Sequence, residues 1–131
     1  MTIAVDFDGT IVENKYPEIG KEKAFAIHTL VTLQQEGNKI ILFTSREGDL
    51  LDEAIAFCHE RGLDFYAVNS NDPPEAMFPR QTAKVIADVY IDDRNLGGIP
   101  SDWNDIYEMI SQKRAERREK RKRNSRWPWK R

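Results

Sequence analysis

Asp6 and Asp8 stand two positions apart, so on an extended strand both carboxylates project to the same side. Gly9 follows them and permits a tight backbone turn. Thr44, Ser45 and Arg46 form a second cluster. It offers hydroxyls, backbone N–H groups and a guanidinium fork, all suited to phosphate oxygens. Asp92 and Asp93 form a third, and Lys84 shortly before them adds a cation, with Arg80 as a substitute. Four acids gathered in one place disfavour joint ionisation. A hard divalent cation is the simplest remedy. Mg²⁺ takes oxygen ligands, keeps several waters, and commonly uses one or two carboxylates together with a substrate phosphate. Asp6, Asp8, Asp92 and Asp93 are therefore the candidate metal site. Thr44, Ser45, Arg46 and Lys84 are the candidate phosphate-holding groups. Phosphoryl transfer is the chemistry to which this set points.

These residues need elements that bring them together. Thr2 to Phe7 reads as a buried strand whose acids come only at its C-terminal end. Residues 9–20 carry Gly9, Pro17 and Gly20 and read as a loop or hairpin-like excursion. From Lys21 to Glu36 the apolar positions, Ala24 and Phe25 among them, follow helical spacing until Gly37 stops the pattern. Lys39 to Phe43 is a second strand, Asp49 to about Arg61 a second helix, and Asp64 to Val68 a third short strand. Residues 69–82 form a polar loop, Val89 to Ile91 a fourth strand, and a last helix starts near Ser101 or Asp102. Alternation of this kind predicts an α/β fold, a three-layer Rossmann-like parallel sheet with helices on both faces. In such sheets the active site lies at the carboxyl ends of the strands. Three of the four strands here end in the polar clusters named above.

Asp6-Phe7-Asp8-Gly9-Thr10 resembles the first motif, DxDGT, of the haloacid dehalogenase-like hydrolases. Leu42-Phe43-Thr44-Ser45-Arg46 is similar to their second motif, a strand ending in Thr or Ser. Lys84 sits where the third has its Lys, and Val89-Tyr90-Ile91-Asp92-Asp93 resembles the acidic fourth motif. The resemblance covers residues 2–98 and implies a phosphatase. In it Asp6 attacks phosphorus to form an aspartyl-phosphate, and Asp8 serves as acid and then base. It also implies a Mg²⁺ held by the Asp6 side chain, the Asp8 carbonyl and a fourth-motif acid. Asp93 is favoured for that last role with Asp92 beside it, although the residues themselves leave both open. Thr44 and Lys84 would hold the phosphoryl group, with added contacts from Ser45 and Arg46. Tyr16 lies in the loop nearest the site.

Most relatives of that kind insert a cap domain. Here Asp8 to Thr44 spans 36 positions and Thr44 to Lys84 spans 40, and neither gap accommodates one. A capless, open site suits a large substrate, or cover by a neighbouring copy or by loops 11–19 and 69–82. The pairing of a DD fourth motif with Ser/Thr-x-Arg also resembles the phosphatase half of polynucleotide kinase-phosphatases, which brings in a nucleic-acid-end phosphatase as an alternative. A non-catalytic phospho-acceptor such as a receiver module is the other alternative. Receivers, however, carry the acceptor on a later strand, and Asp8, Gly9 and Thr10 would have no task there.

The net charge of −2 hides two opposed halves. Residues 1–111 carry a net −11 and form the expected catalytic core; residues 112–131 carry eleven Lys/Arg against two Glu, a net +9. This basic stretch, with Trp127-Pro128-Trp129 near its end, reads as a helical extension or tail. Candidate partners for residues 113–131 are nucleic acid or an anionic surface. The plainer reading is a solvated helix end. No run of apolar residues reaches membrane-spanning length. There is no signal-peptide pattern, and Cys58 is the lone cysteine. A cytoplasmic protein is therefore expected, with Cys58 as a buried core thiol.

Overall fold

The computed structural model describes residues 1–80 and 82–126, so Trp127-Pro128-Trp129 lies outside the described residues. Strands β1 (Thr2–Val5), β4 (Lys39–Leu42), β5 (Ala67–Val68) and β6 (Val89–Ile91) make a parallel sheet in the order β5-β4-β1-β6. Residues Ile3, Ile40 and Val89 lie in one register row, and Val5, Leu42 and Ile91 in another. Helices α1 (Ala26–Gln35), α2 (Gly48–Glu60) and α3 (Trp103–Ser125) flank the sheet. Among the described residues, no helix is long and apolar enough to cross a membrane.

The excursion after Gly9 is a genuine hairpin, β2 (Val12–Lys15) against β3 (Glu18–Glu22). It takes the residues that helical spacing had assigned to the start of the first helix. Lys21 and Glu22 lie in β3, the chain turns at Phe25 with φ 65°, and α1 begins only at Ala26. Ala24 and Phe25 consequently point outward rather than into the core. The second helix starts one residue earlier than Asp49, with Glu47 as its extended N-cap residue.

The expected helices on both faces are replaced by helices on one. Ile3, Val5, Ile40, Leu42 and Ile91 share a single buried cluster with Ala26, Ile27, Leu30 and Leu33 of α1, Ala54 and Cys58 of α2, and Trp103, Ile106 and Ile110 of α3. The alternate positions Ala4, Ile41 and Ala67 face the other way, against Val85, with Phe43, Tyr66 and Tyr90 around them. Connection handedness explains this. From β1 to β4 and from β4 to β5 the chain steps the same way across the sheet, so right-handed crossovers put α1 and α2 on one side. The return from β5 to β6 must cross the opposite face. The described residues of 69–88 do so without forming a helix, consistent with Pro73, Pro74 and Pro79. Cys58 is fully buried and its thiol is pushed up to about 12 by burial, which fits an unreactive core residue.

Helix α3 opens with Asp102, whose carboxylate accepts from the Asn104 N–H at 2.8 Å. It runs unbroken across the 111/112 boundary drawn from charge. What changes there is burial: Ile110 is the last buried side chain of α3. The remaining turns run on as a polar helix beyond the core.

Candidate active site at the strand ends

Chain direction fixes the site. Since β1, β4 and β6 are parallel and in register, the residues that follow them emerge along the same edge of the sheet. Asp6, Asp8, Thr44, Ser45 and Asp92 line one cleft of about 540 Å³. That volume lies within the usual range for small-molecule sites. Asn14 and Tyr16 from the β2–β3 hairpin, Phe43, and Arg94 complete the wall.

Asp6, Asp92 and Asp93 each present a carboxylate oxygen, and the three oxygens lie within 4.8 Å of one another. This spacing could hold a cation. Thr10 knits the group from behind: its hydroxyl donates to Asp6 Oδ2 at 3.1 Å and lies 3.3 Å from Asp93 Oδ1. The same oxygen accepts from the Asp93 N–H at 3.1 Å. Burial, then the charge of Asp92 and the carboxyl of Asp93, push Asp6 up to about 7. A carboxyl raised in this way stands among like charges with no cationic partner among the described residues, which is the electrostatic condition a bound cation relieves.

Asp8 stands outside the three-acid group. Arg46 holds it in a two-pronged pair, Nε to Oδ2 at 2.7 Å and Nη2 to Oδ1 at 2.7 Å. The Arg46 side chain is fully buried and that of Asp8 nearly so, at 0% and 14% exposed. Arg46 also donates to the Leu50 and Glu18 carbonyls and stacks between the Phe7 and Tyr16 rings. The guanidinium expected to grip phosphate is therefore spent inside the protein. It ties Asp8, the start of α2 and the hairpin into one unit.

Lys84 is not brought into the cleft. Tyr90 Oη donates to the Val85 carbonyl at 2.6 Å, and Asn71 accepts from the Ile86 N–H at 2.8 Å. These bonds hold the segment on the outer face of the sheet, where the Lys84 ammonium lies 5.0 Å over the Tyr90 ring. Arg80, the substitute, is paired with Asp72. The cation that does line the cleft is Arg94, which sequence reasoning passed over. Its position directly after Asp93 was the available signal. Thr44 is set by two bonds: its N–H donates to Asn69 Oδ1 at 2.9 Å, and its hydroxyl oxygen accepts from the Arg46 N–H at 3.1 Å. The Thr44 hydroxyl proton is thereby left available to a ligand.

Gly9 has φ +86°, and a Cβ there would lie 2.5 Å from Asp93 Oδ2. Asp93 thus lies close against the turn, while Asp92 lines the cleft wall. Gly9→Ala is expected to displace Asp93 and weaken divalent-cation binding by about 10-fold or more, the usual effect of disturbing groups that support a metal ligand. Isothermal titration calorimetry with Mg²⁺ and Mn²⁺ measures it.

No protein-family profile matches the chain, and no curated protein matches it. Among solved structures it is similar to a conserved protein from Bacteroides thetaiotaomicron, at 59% sequence identity and a TM-score of 0.80. The match covers 86% of this chain and 91% of that one. The chain belongs to that protein's family. The shared scaffold thus extends over most of both chains.

Proposed function

We propose that this protein is a capless, haloacid dehalogenase-type phosphatase that hydrolyses a phosphomonoester in a Mg²⁺-dependent reaction through an aspartyl-phosphate on Asp6. The observation that carries this reading is the convergence of three strand ends on one cleft. Asp6 stands there beside Asp92 and Asp93, with Asp8 fixed next to it and Thr44 opposite. Asp6, Asp92 and Asp93 fit a hard cation by donor type and spacing. When bound, Mg²⁺ would offset the charge of these acids and of the phosphate oxygens. Asp92, on the cleft wall, is assigned as the direct fourth-motif ligand. Asp93, held by Thr10 and Gly9, is the residue that positions the group, which reverses the preference drawn from the resemblance.

The first half-reaction forms a bond between an Asp6 oxygen and phosphorus and breaks the bond to the leaving oxygen, which takes a proton from Asp8. In the second, Asp8 removes a proton from water as it attacks phosphorus, freeing Asp6 and releasing inorganic phosphate. Both Asp8 oxygens accept from Arg46, and each keeps a second lone pair through which a proton can be exchanged. Nη2 has the Glu18 carbonyl as a second acceptor at 3.1 Å and is not orphaned when Asp8 Oδ1 turns to substrate. Thr44, Ser45 and Arg94 are placed to receive the phosphoryl oxygens. Asn14 and Tyr16 of the hairpin line the same cleft.

The test is phosphate release from a panel of phosphomonoesters, small aryl phosphates and 3′- and 5′-phosphorylated oligonucleotides included. Mg²⁺-dependent release that chelation abolishes is expected. Release from no member of the panel, or release untouched by chelation, would sink the reading. An Asp6 phosphoryl adduct that accumulates without release of phosphate would instead favour a phospho-acceptor module.

A further inference from the structure

The geometry points to a second anion site on the opposite end of the molecule, a cleft that takes the phosphodiester backbone of a nucleic-acid strand. It does not depend on the phosphatase reading. Where α3 passes the start of the sheet, a cleft of about 380 Å³ is lined by Lys39, Arg114, Arg117, Arg118 and Arg121, together with Gly37, Met1 and Thr2. Arg114, Arg118 and Arg121 are spaced to share one face of α3. Arg117 is committed: it pairs with Asp88 at 2.7 Å, and Asp88 also accepts from the Thr2 N–H at 2.7 Å. That pair fastens the helix to the start of β6 and, through Thr2, to the start of β1. Arg114, Arg118 and Arg121 have no carboxylate within ion-pair distance among the described residues. Lys39 joins them from β4, with its ammonium over the Tyr66 ring. Three guanidinium groups on one helix face thus stand without acidic partners at the start of the sheet, on one concave surface that Lys39 of β4 also lines, which a merely solvated charge run does not do.

The chemistry of this surface selects among polyanions. Membrane-surface helices need an apolar face to bury beneath the headgroups. From Lys113 to Ser125 the only apolar side chain is Ala115, so that face is missing. A row of guanidinium groups with nothing apolar between them suits repeated phosphates. Position matters as well. The cleft sits at the starts of the strands and the acidic site at their ends, roughly 13 Å of strand away before loops are added. A strand seated here does not lead directly into the catalytic cleft. The surface is an anchoring site rather than a guide into the acidic cleft.

The experiment is fluorescence anisotropy of labelled 20-mer single-stranded and duplex DNA with the full chain, between 50 and 200 mM salt. About four phosphates neutralised on a single strand correspond to a slope of log affinity on log salt of about −3. The variant carrying Arg114→Gln, Arg118→Gln and Arg121→Gln is expected to lose at least about 10-fold in affinity and most of that slope. A control with Lys113→Gln, Lys120→Gln and Arg123→Gln removes equal charge from the other side of α3 and should lose less than about 3-fold. Lys39→Glu, on a strand rather than the helix, should weaken binding independently of any change in α3, and circular dichroism checks that each variant is folded. Equal losses in the two triple variants, no binding to either oligonucleotide, or tighter binding to phosphatidylserine vesicles at equal phosphate would each overturn the assignment. So would light scattering that finds α3 holding the acidic face of a second copy.

Discussion

Asp6→Asn is expected to lower phosphate release by about 10⁴-fold or more, the scale seen when a nucleophile that forms the covalent intermediate is removed. The same substitution is expected to make the metal-free protein more stable at pH 8. Burial and its acidic neighbours raise Asp6 from an ordinary carboxyl value of 3.8 to about 7 in the folded protein. The folded state therefore binds this proton more tightly than the unfolded chain does. Between about pH 4 and pH 7 the unfolded chain has released the proton while the folded one retains it, so stability falls as pH rises through that window. Above about 7 the loss is complete and the curve is flat with respect to this group. Asn carries no charge and should remove that fall. A bound divalent cation should remove it too, so Mg²⁺ should raise the thermal midpoint of the wild type more at pH 8 than at pH 5.5, where it must displace the proton. Differential scanning calorimetry of both proteins, with and without Mg²⁺, gives all of these quantities. A wild-type profile that rises from pH 4 to 7, or an Asn variant less stable than wild type at pH 8 without metal, would contradict the electrostatic account. Release of phosphate at wild-type rates by the variant would contradict the nucleophile.

Arg46→Met is expected to cost about 3–5 kcal/mol of folding stability, the range for breaking a buried ion pair by removing one partner. The methionine matches the stem between Phe7 and Tyr16 but leaves the Asp8 carboxylate nearly buried with both oxygens unpaired. It also frees the Glu18 carbonyl of the hairpin and the Leu50 carbonyl of α2. The double variant with Asp8→Asn and Arg46→Met should recover part of the loss, because a neutral amide is far cheaper to leave in that place than a charge. Urea unfolding of the two single variants and the double one closes the cycle. If Arg46 were a surface phosphate ligand, Arg46→Met would change stability by no more than about 1 kcal/mol and would act on KM alone.

The strand-end acids were legible from sequence because period-two alternation, and the abrupt change from apolar to acidic residues, need no partner to be read. Asp6, Asp8, Thr44, Ser45 and Asp92 meet at one cleft for that reason alone: parallel strands in register deliver their last residues to one edge. The β2–β3 hairpin was harder to see. Its residues alternate weakly and most are exposed, so helical spacing further on drew the start of α1 too early. The one-sided placement of the helices was hidden for another reason. It depends on the order of strands across the sheet, and local pattern carries no information about that order.

Side-chain partnership is where sequence stopped. Residue types alone made Arg46 and Lys84 the natural phosphate cations, since both precede or follow a strand in the right order. Only the folded chain decides that Arg46 turns inward to Asp8, 38 residues earlier, and that Lys84 is held over Tyr90 while Arg94 takes the open wall. A charged group goes wherever a desolvated partner and satisfied donors are found together, and that is a property of three-dimensional neighbours. The sequence by itself determined which acids reach the edge of the sheet and therefore which chemistry is available there. The tertiary structure decided which cation lines that cleft and which one holds the scaffold together. It also gathered the basic residues of α3 and Lys39 into one cleft at the other end of the domain.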